Sequence, residues 1–268
     1  MKLFSVIVTI AYAAACAGYV KFALIDGKSG GKTLRSLAVG AAALDFFFLI
    51  ALRSAVKHPP LTTGAEATAV LSFMLVAIYL ILERYSETKS VGALIYGAAA
   101  AMQGAATVFM KIVPGPPQFN DPMLFAHVGV ALMGYAAFTI AFIYSAMYLA
   151  MHRQLKRGSF GLLFHRLPSL EELDDTTYRA AVFGFIMLCV SILLGFAQVG
   201  GGQLLMGDPK VAATVFTAQV YLIILVAKIF FGWRGVRIAL MSAVGFIAVA
   251  VSIFLLNVAP YTFHNIYY

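Results

Sequence analysis

Eight mostly apolar stretches of about 20 residues, near 3–24, 35–56, 64–83, 90–111, 123–150, 177–199, 211–231 and 236–258, occupy nearly the whole chain. A helix that crosses a bilayer needs about 20 such residues, because in hydrocarbon the backbone can satisfy its polar groups only internally. The pattern predicts an all-α, polytopic membrane bundle of about eight transmembrane helices. Only 11% of the residues are charged, against about 25% in a soluble domain. That shortage excludes an ordinary cytosolic enzyme, a disordered chain and a nucleic-acid binder, despite a net charge of +8. The longest connection, about 151–176, is too short for a core of its own, so residues 1–268 read as a single integral membrane domain. Lys2 ahead of an apolar run and the small residues Ala13 to Cys16 imitate a signal peptide. The run continues to Leu24 and seven like it follow, so a retained first helix is the expectation.

Orientation follows from the basic residues. With eight spans both termini share one side. Of 19 Lys and Arg, 14 fall on the opposite side, from Lys21, Lys28 and Lys32 through Arg153, Lys156 and Arg157 to Arg234 and Arg237. Positive loops stay inside, so both termini are expected outside, with the chain multi-pass in a bacterial inner membrane and the basic loops against anionic lipid. Cys16 and Cys189 lie inside predicted helices and form no CxxC pair, so neither thiol redox chemistry nor a thiolate metal site is suggested.

Several helix starts carry their own signals. Asp121-Pro122 and Asp208-Pro209 each place an acidic N-cap before a first-turn proline. Thr63 with Glu66, and Ser169 with Glu172, have the spacing of a capping box. Leu170 and Leu173 among acids predict a short amphipathic helix lying on the membrane surface. Gly200-Gly201-Gly202 opens an outer loop of unusual glycine content, which permits either flexibility or close backbone approach to a ligand.

Intramembrane polar groups are functional candidates because they are costly to bury in lipid. Asp45, in Leu44-Asp45-Phe46-Phe47-Phe48, suits either proton handling or a structural hydrogen bond between helices. Glu83 and Lys228 sit near helix ends, where snorkelling to water explains them. Among the five histidines, His58, His127 and His264 are expected at the outer face, and His152 and His165 in the basic inner loop. Two imidazoles at one depth can supply both axial ligands of a haem. An interfacial role is the alternative, since His264 lies among Tyr261, Phe263, Tyr267 and Tyr268.

From about Arg53 onward, a series of blocks resembles the cytochrome c assembly family of membrane haem-handling proteins, the group that contains CcsA (ResC) and HemX. In order they are His58-Pro59-Pro60-Leu61 with Glu66, Tyr79 to Arg84, Lys89 to Gly92, Ala126-His127-Val128 with Tyr135 to Phe138, and Tyr148-Leu149 leading into Gln154-Leu155-Lys156. The most specific is Leu167 to Asp174 with Tyr178-Arg179 and Gly184-Phe185, followed by Asp208-Pro209-Lys210, Gly232-Trp233-Arg234-Gly235 and Phe263-His264. The resemblance implies haem at an outer, tryptophan-rich loop ending in Asp-Pro-Lys, with one axial histidine before it and one after. By position these are His127 and His264, and Asp208 and Lys210 belong to the loop's core. Lys57 and Lys210, on the same side, suit the propionates.

This chain departs from the family pattern in two places. Its one tryptophan, Trp233, falls outside that loop, and Phe46 and Lys228 stand near where the family has intramembrane histidines. The resemblance therefore implies a haem b-holding or assembly protein rather than a complete cytochrome c synthase. Its expected partners are haem, lipid and other cytochrome c assembly or electron-transfer membrane proteins. Two alternatives accompany that reading. One is a HemX-like non-catalytic assembly or regulatory protein that binds a partner through Ser169 to Asp175. The other is a haem-bearing subunit of a quinol-linked complex, in which Asp45 or Glu66 moves protons.

Overall fold

The computed structural model describes residues 1–26, 31–86, 89–111, 121–158, 167–198 and 209–258, and among these every regular element is helical. They are α1 (Lys2–Lys21), which ends in a π-helical turn (Phe22–Asp26), α2 (Gly31–Val56), α3 (Gly64–Leu82), α4 (Gly92–Phe109), α5 (Pro122–Arg157), α6 (Leu170–Gln198), α7 (Pro209–Phe230) and α8 (Val236–Val258). Seven are long and apolar enough to cross a membrane, which makes the chain a multi-span membrane protein. The side chains facing outward are those of a lipid-exposed surface: Phe46, Phe47, Leu193, Ile229 and Phe230 are all exposed.

The chain divides into two compact units. The first comprises Met1–Phe125 with Met151–Ser169, and the second Ala126–Ala150 with Leu170–Tyr268. In the first, α1 packs on α2 and α4, and α3 packs on the same two helices, so the four close a ring. Small residues set the spacing. A Cβ at Gly92 would enter the Tyr19 ring, and one at Gly18 would sit 3.0 Å from the Leu34 side chain.

The capping box opens α3 as its spacing predicts. Thr63 Oγ1 accepts from the Glu66 amide at 3.2 Å, while Glu66 Oε2 accepts from the Thr63 amide at 3.2 Å. The same oxygen takes the Thr62 amide and hydroxyl at 3.1 and 2.9 Å, so Glu66 is held by local donors. Removing the Thr63 side chain leaves one orphan helix amide. Thr63→Ala is accordingly expected to cost about 1 kcal/mol, read as a lowered unfolding midpoint in detergent.

In the second unit α7 packs against both α6 and α8, and α8 touches α6. The 126–150 part of α5 joins them through aromatic faces: Phe138 stacks on Tyr221 at 3.5 Å between centroids, and Phe142 on Phe246 at 4.7 Å. α5 and α6 cross at a glycine pair, where a Cβ on Gly134 or on Gly184 would lie 3.0 Å from the other's carbonyl oxygen.

Helices α5 and α6 are longer than the apolar pattern predicts. α5 starts at the expected cap, with Asp121 accepting the Met123 amide at 2.9 Å ahead of Pro122. It runs past 150 to Arg157, where Lys156 and Arg157 complement the helix dipole and Gly158, at φ 64°, closes it. The separate surface helix expected at Leu170 is instead the start of α6. Leu173 is fully buried, and the Thr177 hydroxyl donates to its carbonyl at 2.8 Å, so these turns are pinned to the unit.

Candidate functional site

His127 lies in the second turn of α5 and faces α6. Its Nδ1 is 2.7 Å from the Ser191 carbonyl oxygen, an atom that can only accept. Nδ1 therefore carries the hydrogen and Nε2 keeps its lone pair, the tautomer needed for ligation through Nε2. The Ser191 hydroxyl donates back to the His127 carbonyl at 3.0 Å and lies 3.1 Å from Nδ1, so histidine and serine are tied at two points. Metal-ligating histidines usually have their second nitrogen fixed by a carbonyl or carboxylate in this way.

The ring also needs room. A Cβ at Gly195 would come within 2.9 Å of His127 Cε1 and 3.2 Å of Nδ1, so only glycine leaves the imidazole its place. Ser191 and Gly195 escape a reading of the sequence for chemical groups, because one acts through its backbone and the other through the absence of a side chain. Their signal is periodic. Gly184, Leu188, Ser191 and Gly195 follow at i, i+4, i+7 and i+11, a single stripe along α6.

The histidine pairing is in register with the glycine crossing. His127 precedes Gly134 by seven residues, and Ser191 follows Gly184 by seven, so the two antiparallel helices bring the pair together two turns from their closest approach.

The other expected site residues are placed as follows. Lys57 is exposed just after α2, with a left-handed backbone (φ 60°) that is uncommon outside glycine. Lys210 is in the first turn of α7, which begins at Pro209 as the Asp-Pro pattern predicts, but its side chain is outside the described residues. Asp208 and His264 are outside them too, as are His165 and the glycine-rich loop. His58 is buried, and its Nδ1 contacts the Pro59 carbonyl oxygen at 2.9 Å. No group of three or more His, Cys, Asp or Glu able to hold a metal ion occurs among the described residues.

Neither Lys228 nor Glu83 snorkels. Lys228 Nζ donates to Asp174 Oδ2 at 2.9 Å and lies 4.5 Å from the centre of the Tyr178 ring. Asp174 Oδ1 accepts the Gly235 amide at 3.1 Å, so one carboxylate joins α6, α7 and the turn before α8. Both partners of the ion pair are only 12–13% exposed. Gly232 and Gly235, at φ 62° and 66°, shape that turn, and a Cβ at Gly235 would lie 2.7 Å from the Tyr148 hydroxyl oxygen. Glu83 is buried at the end of α3, where it accepts from the Tyr19 hydroxyl at 2.6 Å.

Residues 32–264 match the family described as Cytochrome C assembly protein. The chain is 36% identical over 104 residues to Protein HemX of Brevibacillus brevis, a match spanning 38% of each chain. It is 25% identical over 250 residues to cytochrome c biogenesis protein CcsA of Heterosigma akashiwo, covering 79% of this chain and 78% of that one. To CcsA of Synechococcus sp. (strain CC9902) it is 27% identical over 241 residues, or 78% of each chain.

Proposed function

Because this chain belongs to the cytochrome c assembly protein family, we propose that it holds haem b near the outer face of a bacterial inner membrane, in support of cytochrome c maturation. His127 and His264 are the two axial ligands in this reading, and both termini lie outside. The observation that carries it is the fixed tautomer of His127: Ser191 takes the Nδ1 hydrogen, Gly195 leaves space for the ring, and Nε2 is left to ligate. Such a residue fits a haem iron, which when bound supplies a one-electron centre.

The protein's own part is to bind and orient. Lys210, at the start of α7, supplies positive charge for a propionate. Asp208 belongs to the Asp-Pro-Lys core of the loop that the family resemblance sets against haem. Without tryptophans in that loop, the haem edge is less shielded than the family pattern provides. The role proposed is therefore assembly or haem holding rather than complete synthase chemistry.

Protein purified from haem-replete cells is expected to show a b-type absorption spectrum that disappears in His127→Ala. A haem-free wild-type preparation overturns the reading. A second reading, a HemX-like assembly or regulatory protein without haem, draws on the HemX match and the missing tryptophans. It predicts that His127→Ala is silent, while deletion of the protein changes the abundance of its partners.

A further inference from the structure

Where α7 turns into α8, the second unit carries an open cleft of about 390 Å³, the size of a small-ligand site. It lies between the C-terminal half of α7 and the start of α8, with Leu222, Ile223, Val226, Phe231, Trp233 and Met241 on its walls. Leu222, Ile223 and Phe231 are exposed.

The turn between the helices builds one end of the cleft. The chain reverses at Gly232, and the Trp233 amide donates back to the Ala227 carbonyl at 3.2 Å. That bond holds Trp233 against the end of α7, with its ring 6.3 Å from that of Phe231. Gly235 is fixed as well, through its amide on Asp174. The cleft wall is therefore set by backbone contacts and is already formed before anything binds.

Positive charge gathers at the same end. The Arg237 guanidinium, in the first turn of α8, lies over the Trp233 ring at 5.5 Å from its centre. Arg234 follows Trp233 directly, and both arginines are exposed. Among the described residues neither forms an ion pair, whereas Lys228 is neutralised by Asp174 at 2.9 Å.

Walls and rim together select the occupant. Apart from the indole N–H the wall side chains offer no hydrogen bond, so the part that enters is hydrocarbon. Two arginines without carboxylate partners favour an anionic group at the cleft's end. Tryptophan and arginine are also the residues that settle where a bilayer passes from hydrocarbon to headgroups, which puts tail and head at matching depths.

We propose that the α7–α8 cleft binds one anionic phospholipid, with an acyl chain along Leu222, Val226 and Met241 and its phosphate at Arg237 and Arg234. The Trp233 ring stands between the two parts.

Trp233 is the one tryptophan of the chain, so its fluorescence reports on this site alone. The full chain is reconstituted in mixed phosphatidylcholine and phosphatidylglycerol vesicles, with brominated acyl chains on one lipid at a time. Bromine quenches an indole at short range, and competition between the lipids gives their relative affinity at the site. Phosphatidylglycerol is expected to be preferred about 25-fold, about 5-fold for each arginine. Arg234→Gln and Arg237→Gln should each lower that preference about 5-fold, while Arg237→Lys, which keeps the charge, should retain most of it. Val226→Phe, which narrows the cleft, is expected to lose much of the quenching. Arg53→Gln removes the same charge from the first unit and should change nothing.

Equal affinity for the two lipids, or a preference that survives both glutamine substitutions together, overturns the proposal. So does an equal fall in Arg53→Gln, which would mark net charge alone. Absence of quenching by either lipid would mean that a second copy of the chain covers the cleft, and overturns it too. Unchanged elution in detergent shows that each variant is folded.

Discussion

Gly195→Ala is expected to weaken haem binding by about 10–100-fold, although every proposed ligand stays in place. The added Cβ would come within 2.9 Å of His127 Cε1, closer than carbon atoms approach in folded proteins. The imidazole is the movable partner, so it swings away and gives up the 2.7 Å bond from Nδ1 to the Ser191 carbonyl. Losing that bond frees the tautomer as well as the angle of the ring, and both are needed to present Nε2. The measurement is haem titration of apoprotein, wild type beside Gly195→Ala and His127→Ala. Gly195→Ala should fall between the other two, and affinity equal to wild type would remove Gly195 from the site. Ser191→Ala is the control. It retains the carbonyl that accepts from Nδ1 and loses only the hydroxyl, so its effect should be the smaller one.

The second large effect concerns stability. Asp174→Ala is expected to destabilise the second unit by about 3–5 kcal/mol, because it strands the Lys228 ammonium at 12% exposure and removes the acceptor of the Gly235 amide. Asp174→Asn keeps an oxygen for Gly235 and should cost less. Adding Lys228→Met to Asp174→Ala removes the stranded charge and should recover much of the loss. Thermal unfolding of the four proteins in detergent gives this order. If the double variant were no better than Asp174→Ala alone, the ion pair would not be the source of the effect.

Legibility in the sequence followed the scale of the signal. Eight apolar stretches announce eight helices because the requirement for about 20 apolar residues is imposed by the bilayer and not by neighbours. Caps are local too, so Thr63 with Glu66 and Asp121 with Pro122 could be read directly and hold in the structure. The start of α6 was not legible. The acids from Glu171 to Asp175 look like a solvated surface face until Lys228, far along the chain, is known to meet Asp174. Glu83 misled for the same reason, since its position at a helix end suggests water and only the fold supplies Tyr19. At the candidate site the histidine was visible as a residue type. Ser191 and Gly195 were hidden, because a carbonyl and a missing Cβ leave no chemical mark in a sequence.

The glycine crossing of α5 and α6 makes the His127 site sensitive to changes it does not touch. With contact at Gly134 and Gly184 and the histidine–serine pair about 10 Å further along both axes, the two helices act as crossed levers with their fulcrum at the glycines. A methyl group on either glycine forces the levers apart at the pivot, and the separation is carried to the far ends, where a hydrogen bond has only tenths of an ångström to give. The geometry of His127 is thus governed from a purely apolar position, and on the proposed function variation at Gly134 or Gly184 would tune haem affinity without altering either proposed ligand.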